Sequence, residues 1–271
     1  MPALTKEEAE KLTDLIYKVD TRRFGLGTGE IESFKDDRGD EFLFKPAQNK
    51  RGVESPYRAY IQEAVSKLQG LINPTSRVEV KTAVVNGRFG AVQPYIRSLT
   101  LSKKGLDNLT KDQVAELLGE YVVDYLACNF DSHSENYLID RLGHVRGVDK
   151  EQSFRYLDEP KSNDLRMLTN FNQRYDEAPP IYGKFLGYLE SEYYGKIDIL
   201  GILGKYMDRL ADISDNEYVA IFDKYAEARA GGDNVKKTAI LSKILMRSDK
   251  NGQQYYSVCY HSYCNYCNCD N

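Results

Sequence analysis

The chain has 271 residues, with 37 lysines and arginines against 41 aspartates and glutamates, a net charge of −4 at pH 7. Apolar residues make up 41%, enough for a globular core, which excludes a wholly disordered chain. No run of 18 apolar residues is present to span a membrane, and the acidic balance argues against a general nucleic-acid binder. The start, Met1 to Leu12, has no basic segment followed by an apolar one, so no signal peptide is expected. Cys128 is the one cysteine before Cys259. A body so poor in cysteine reads as cytoplasmic. At ~150 residues per domain the length suits one two-lobed unit or two small domains.

The first expected element is a helix: Thr5-x-x-Glu8 is a capping box, and Ala9, Leu12, Leu15 and Ile16 share one apolar face. A glycine-rich stretch follows, Phe24-Gly25-Leu-Gly27-Thr-Gly29. Ile31 to Phe34 and Glu41 to Lys45 then flank a polar turn at 35–39, the pattern of a β-hairpin, with Pro46 closing the second strand. Residues 56–70 place Tyr60, Ile61, Ala64, Val65 and Leu68 at helical spacing until Asn73-Pro74 breaks it. Val78 to Val85 and Arg88 to Val92, joined by Asn86-Gly87, predict a second hairpin. Gln93-Pro94-Tyr95 reads as a connector.

After residue 98 the pattern is helical. Thr110-x-x-Gln113 is a capping box opening a helix, with Val114, Leu117, Leu118, Tyr121, Val122, Tyr125 and Leu126 on one face. Tyr137 to Ile139 and Val145 to Val148 predict a small hairpin. Ser214-x-x-Glu217 caps a later helix whose Val219, Phe222, Tyr225 and Ala226 should face inward, and Gly231-Gly232 separates it from another at 235–246. Strands first and helices after predict an α+β fold of two lobes. The expected division is a β-rich lobe at 1–97, a helical lobe at 98–248 and a tail at 249–271. A ligand is expected in the cleft between the lobes.

The chemistry concentrates between residues 129 and 149, where Asp131, Asn136 and Asp149 sit on loops beside short strands. Phosphoryl transfer needs such a set: one carboxylate to take or orient the nucleophile's proton, and oxygen donors to hold Mg²⁺ against the phosphates. Upstream, Lys45 ends a strand, and Glu63, with Glu54 as an alternative, lies beyond it. A strand lysine held by a helix glutamate can bind the α- and β-phosphates of a nucleotide. Simpler readings exist for each residue alone: a solvated Lys45, a surface Glu63, a turn at Gly25 to Gly29, and a structural hydrogen bond for His133.

The pattern Asp131-x-His133-x-x-Asn136, followed by a strand, a turn and Asp149, resembles the atypical kinases. These include the HipA-type toxin kinases, the CotH spore-coat kinases and the phosphatidylinositol kinases. Their catalytic loop carries His after Asp, unlike the His-Arg-Asp order of ordinary protein kinases. Phe42-Leu-Phe-Lys45-Pro46 resembles the strand-Lys-Pro of the first two groups. The resemblance spans residues 24–155, and more loosely the helices up to 247.

The resemblance implies a two-lobed protein-kinase-like fold, ATP and Mg²⁺ as cofactors, and transfer of the γ-phosphoryl group to Ser or Thr of a protein or peptide. Asp131 would be the base, Asn136 and Asp149 the metal ligands, and His133 a support of the loop. Lys45, anchored by Glu63, would bind phosphate, with Gly25, Gly27, Gly29, Gln93 and Tyr95 also at the nucleotide. Lys150-Glu151 follows Asp149 where ordinary kinases have Phe-Gly, and the glycine-rich loop lacks a third spaced glycine. A lipid or small-molecule kinase is an alternative, although no polybasic patch is visible. A pseudokinase or binding module is another.

The tail, Tyr255 to Asn271, has almost no aliphatic residue and cannot build a core. Three readings stay open. Cys259, Cys264, Cys267 and Cys269 could ligate Zn²⁺. The tail could be a disulfide-linked or disordered end. Or Ser257-x-Cys259 and Ser262-x-Cys264 could be phosphorylated and closed to thioether rings, as in a lanthipeptide-like substrate.

Overall fold

The computed structural model describes residues 31–35, 39–48, 52–157, 181–193 and 196–246. The expected first helix, Gly25, Gly27, Gly29 and the cysteine-rich tail lie outside the described residues.

Strands β1 (Glu32–Lys35), β2 (Glu41–Pro46), β3 (Lys81–Val85) and β4 (Arg88–Pro94) form an antiparallel sheet in the order β1-β2-β4-β3. Asn86 (φ 51°) and Gly87 (φ 74°) are both left-handed, as a tight two-residue hairpin turn requires. One sheet face buries Phe34, Phe44, Ala83, Val85 and Val92. The other buries Ala47, Val80 and Ala91 against Ala59 of helix α1 (Tyr57–Ile72).

β3 starts later than the run of valines predicts. The backbone N–H of Val78 donates to Gln69 Oε1 (3.0 Å), and that of Val80 to Ser66 Oγ (3.0 Å). Side chains of α1 thus take the donors a longer strand would use in its ladder. Because Gln62, Ser66 and Gln69 are buried beside the apolar Ile61, Val65 and Leu68, α1 is covered on two faces.

β5 (Ser98–Thr100), which no periodicity marks, pairs with β6 (Tyr137–Asp140), and β6 pairs with β7 (Val145–Gly147). Between β5 and β6 come the short α2 (Leu101–Lys104) and the long α3 (Lys111–Leu126). The Thr110/Gln113 capping box is formed in both directions, an arrangement worth about 1 kcal/mol. α3 is buried nearly all round, as the central helix of a helical layer is.

Among the described residues four more helices follow: α4 (Ile181–Tyr193), α5 (Ile199–Ala211), α6 (Asp215–Ala230) and α7 (Asn234–Leu245). α6 faces inward through Tyr218 rather than Val219, together with Phe222, Tyr225 and Ala226. Tyr218, Phe222 and Phe154 meet as tilted or edge-on rings, the geometry that aromatic quadrupoles favour. The apolar face of α1 joins this same core. Arg209 of α5 also donates to the Ile72 carbonyl at its end (2.8 Å). The helix thus fastens the β-sheet to the helical lobe.

Candidate active site

The β6–β7 hairpin brings two of the expected residues together. Its ladder pairs Tyr137 with Gly147 and continues through Val148 N–H to the Asn136 carbonyl (2.9 Å). Asn136 therefore lies opposite Val148, the residue before Asp149, at the open end of the hairpin. The Asn136 amide nitrogen donates to the Asp131 carbonyl (2.7 Å), which leaves its amide oxygen as the atom available to a ligand. The same bond fixes the loop between Asp131 and Asn136.

Asp149 adopts a left-handed conformation (φ 55°, ψ 55°). For a non-glycine residue this costs about 1 kcal/mol, less for Asp or Asn than for others. Cys128 (φ 46°) and Phe154 (φ 51°) are left-handed too, so backbone strain is concentrated where the two site loops leave the core. An antiparallel bridge between Asn129 and Ser153 ties those loops to each other.

Lys45 reaches the hairpin from the end of β2. Its Nζ lies 2.7 Å from Asp149 Oδ1 and 3.1 Å from Glu151 Oε2. The strand is held close because Gly90, opposite on β4, carries no side chain: a Cβ there would collide with the Lys45 carbonyl and the Phe44 ring. Burial by itself would pull the Lys45 pKa down, but the carboxylates of Asp149 and Glu151 outweigh it, and the ammonium ends above its ordinary value. Lys45 is thus a fixed, fully charged cation at the mouth of the hairpin.

Glu63 is not its anchor. The Glu63 carboxylate accepts from Thr82 N–H (2.9 Å) and Thr82 Oγ1 (2.6 Å) and pairs with Lys67 (2.6 Å). It fastens α1 to β3. Glu54 is exposed, and its backbone bridges to Gln48. The carboxylate that meets Lys45 besides Asp149 is Glu151, itself paired with Arg58 of α1. The charge order of the helix-to-lysine link is thereby reversed: the helix supplies a cation and the loop supplies the acid.

Asp131 lies across the same mouth, about one third exposed. Burial raises its pKa; His133 opposes this, Asp149 adds to it, and Lys45 opposes. His133 Nε2 stands 3.5 Å from Asp131 Oδ1, an electrostatic contact longer than a hydrogen bond. The firmer bond of His133 is made by its backbone carbonyl, which accepts from Asn136 N–H (2.9 Å).

Gln93 lines a cavity of about 10 Å³ behind Asp149, together with Gln62, Ser66, Gln69 and Val148. That is room for about one water molecule. Tyr95 lies elsewhere, in an open cleft of about 460 Å³ with Glu41, Arg97, Asp140 and Leu142. The larger cavity is thus away from the carboxylates, and the charged groups rather than the volume locate the site.

Behind the hairpin lies a feature that the sequence reading passed over. Glu116, Glu120 and Asp124 form a buried acidic stripe along α3. Glu116 accepts from Val145 N–H (2.8 Å) and meets His144 (2.6 Å). Glu120 accepts from Gln69 Nε2 (2.7 Å). Lys150 is also buried, with its Nζ 2.7 Å from Asp124 Oδ1. The ammonium lies 3.1 Å from Glu120 Oε2, an ion pair rather than a directed hydrogen bond. The signal was legible as acids four residues apart in a helix apolar on every other side.

Among the described residues, no group of three His, Cys, Asp or Glu side chains is placed to hold a metal by itself. Asn136 and Asp149 still offer the donor set that Mg²⁺ uses when it arrives with phosphates: one or two hard protein oxygens, the rest from ligand and water.

No protein-family profile matches the chain, and no curated protein sequence does. Among solved structures, the Helicobacter pylori proinflammatory kinase CtkA is similar to it with a TM-score of 0.52 at 11% identity, over 94% of this chain and 98% of that one. The Leishmania major MAP kinase LmaMPK10 aligns with a TM-score of 0.40 at 10% identity, over 95% and 85%. A β-sheet region followed by a helical region, with the first of these likenesses, gives the chain a protein-kinase-like fold.

Proposed function

We propose that the chain is an ATP- and Mg²⁺-dependent phosphotransferase of the atypical kind, acting on a Ser or Thr hydroxyl of a protein or peptide. The observation that carries the reading is the meeting of Lys45 and Asp149 at 2.7 Å, with Asn136 bonded across the hairpin to Val148, the residue before Asp149. The fixed charge of Lys45 suits it to bind phosphate oxygens. Asn136 and Asp149 would hold Mg²⁺, which supplies charge neutralisation on the phosphates when bound. Asp131 would accept the proton of the attacking hydroxyl, a role its raised pKa favours. Catalysis of this kind is mainly positioning and electrostatics. Among the described residues no helix is long and apolar enough to cross a membrane.

Intact-mass spectrometry of the chain after incubation with ATP and Mg²⁺, beside Asp131→Ala, tests the reading. A gain of phosphate mass that the variant lacks is the expected result. Fragment ions would show whether Ser257 or Ser262 is an acceptor. Binding of ATP without any transfer, to the chain or to a supplied peptide, would select the pseudokinase alternative. No binding at all would overturn the reading.

A further inference from the structure

Asp124 takes no part in the steps above, yet its buried carboxylate accepts from four side chains. Oδ1 accepts from Lys150 Nζ (2.7 Å) and Asn129 Nδ2 (2.9 Å). Oδ2 accepts from the hydroxyls of Tyr182 (2.6 Å) and Tyr137. Three of these four donors adjoin a residue of the candidate site. Lys150 follows Asp149 in the chain. Tyr137 follows Asn136. Asn129, through its amide oxygen, accepts the backbone N–H of Asp131 (3.2 Å). The fourth donor, Tyr182, comes from α4, and its hydroxyl lies 2.7 Å from that of Tyr137, so the two phenols converge on one carboxylate oxygen.

Stability alone is a poor account of this arrangement. Asp124 and Glu120 are both 0% exposed, and burying charges costs several kcal/mol each before pairing offsets it. Well-packed apolar residues would fill the space at least as favourably. What the carboxylate supplies that a leucine would not is direction: four donors must converge on two oxygens. Burial and the Asp124 charge push the phenols of Tyr137 and Tyr182 far above their ordinary pKa, so both stay protonated and donate. Lys150 Nζ stands nearer Asp124 Oδ1 (2.7 Å) than Glu120 Oε2 (3.1 Å), so Asp124 is its closer counter-charge.

We propose that Asp124 is the positioning residue of the site: through Lys150, Asn129 and Tyr137 it fixes Asp149, Asp131 and Asn136 relative to one another. This rests on the phosphotransferase reading, in which Asn136 and Asp149 must present oxygens to one metal ion. Groups that orient metal ligands from behind change metal affinity by about 10–100-fold when altered.

The test is calorimetric titration of the full chain with ATP, with and without Mg²⁺. The ratio of the two affinities is the metal enhancement, and it needs no acceptor. Asp124→Asn keeps the shape and leaves Lys150 with Glu120. It should bind metal-free ATP within about twofold of the wild type and lose at least about tenfold of the enhancement. If Asp124→Asn does not fold, the double variant Lys150→Met with Glu120→Gln cuts the link to Asp149 while sparing those through Asn129 and Tyr137, removes one buried cation with one buried acid, and should show the same loss. Glu116→Gln is the structural control: it weakens the far end of the hairpin, so its melting temperature should fall while the enhancement stays. A cooperatively folded Asp124→Asn with wild-type enhancement would overturn the proposal. So would an equal loss in Glu116→Gln. A wild type whose ATP binding ignores Mg²⁺ would instead remove the phosphotransferase reading, and this one with it.

Discussion

Glu151 lies 3.1 Å from the Lys45 ammonium and is gripped from the other side by Arg58 of α1. Lys45 is also bonded to Asp149, a partner it must give up if Asp149 turns to a metal ion. Glu151 can hold the lysine through that exchange, because Arg58 fixes it independently. Glu151→Gln should therefore weaken ATP binding about tenfold, the worth of one charge-assisted hydrogen bond in a partly shielded place. Glu63→Gln should leave ATP affinity unchanged and lower stability by about 1 kcal/mol through its bonds to Thr82. Calorimetry on the two variants, beside urea unfolding, decides between the two glutamates.

The raised pKa of Asp131 has two consequences with a definite sign. As a base it acts ionised, so phosphoryl transfer should rise with pH through a limb above the ordinary aspartate value. Lys45 lowers this pKa and Glu151 raises it. Residual activity in Lys45→Met should thus show the limb moved up, and Glu151→Gln should move it down. In the folding equilibrium a carboxyl raised in the folded state stabilises below its unfolded pKa, and that contribution is lost as pH rises through the folded value. Asp131→Asn should accordingly melt above the wild type at neutral pH. Activity and melting profiles from pH 4 to 8 check both.

Asp149 must satisfy a left-handed backbone and a metal-facing carboxylate at once. Asn tolerates that backbone as Asp does, so Asp149→Asn should melt close to the wild type while losing the Mg²⁺ dependence of ATP binding. Asp149→Ala loses the same dependence and adds about 1 kcal/mol of backbone cost. A difference in melting temperature between the two, with equal loss of metal dependence, is the expected outcome.

Gly147 is bare because the Glu120 carboxylate and the Lys150 ammonium occupy the space where a Cβ would stand. Gly147→Ala should destabilise the chain by about 1–3 kcal/mol, the range for overpacking a filled interior. Urea denaturation reads it directly. Gly231→Ala, where nothing crowds the Cβ but φ is 64°, should cost only the backbone term, about 1 kcal/mol.

The strands and helices of the site were legible because period and punctuation agree there. Asn86-Gly87 fixes one hairpin, Thr110 and Gln113 open α3, and the runs around Leu142-Gly143 give the other hairpin. Asp131, Asn136 and Asp149 stood out through their spacing, and the fold places them on the loops expected. Glu63 was misplaced because helical position fixes a residue's height but not which strand of the sheet its side chain meets; it bonds Thr82 of β3, and β4 lies between that strand and Lys45 of β2. Glu151 was visible only as a departure from a familiar tripeptide. The stripe of Glu116, Glu120 and Asp124 was passed over because charge on a helix is ordinarily read as solvent-facing, and its partners Gln69, Tyr182 and Lys150 come from distant parts of the chain.

The buried pairing of Lys150 with Asp124 and Glu120 also constrains how this sequence can drift. An apolar residue at 150 would strand two acids in a dry interior, and loss of either acid first would strand the lysine with a single partner. Each one-step route passes through a less stable chain, so the three positions should be inherited as a block. In any relative of this protein, a hydrophobic residue after the hairpin aspartate should come with neutral residues at both helix positions, and a lysine there with both acids.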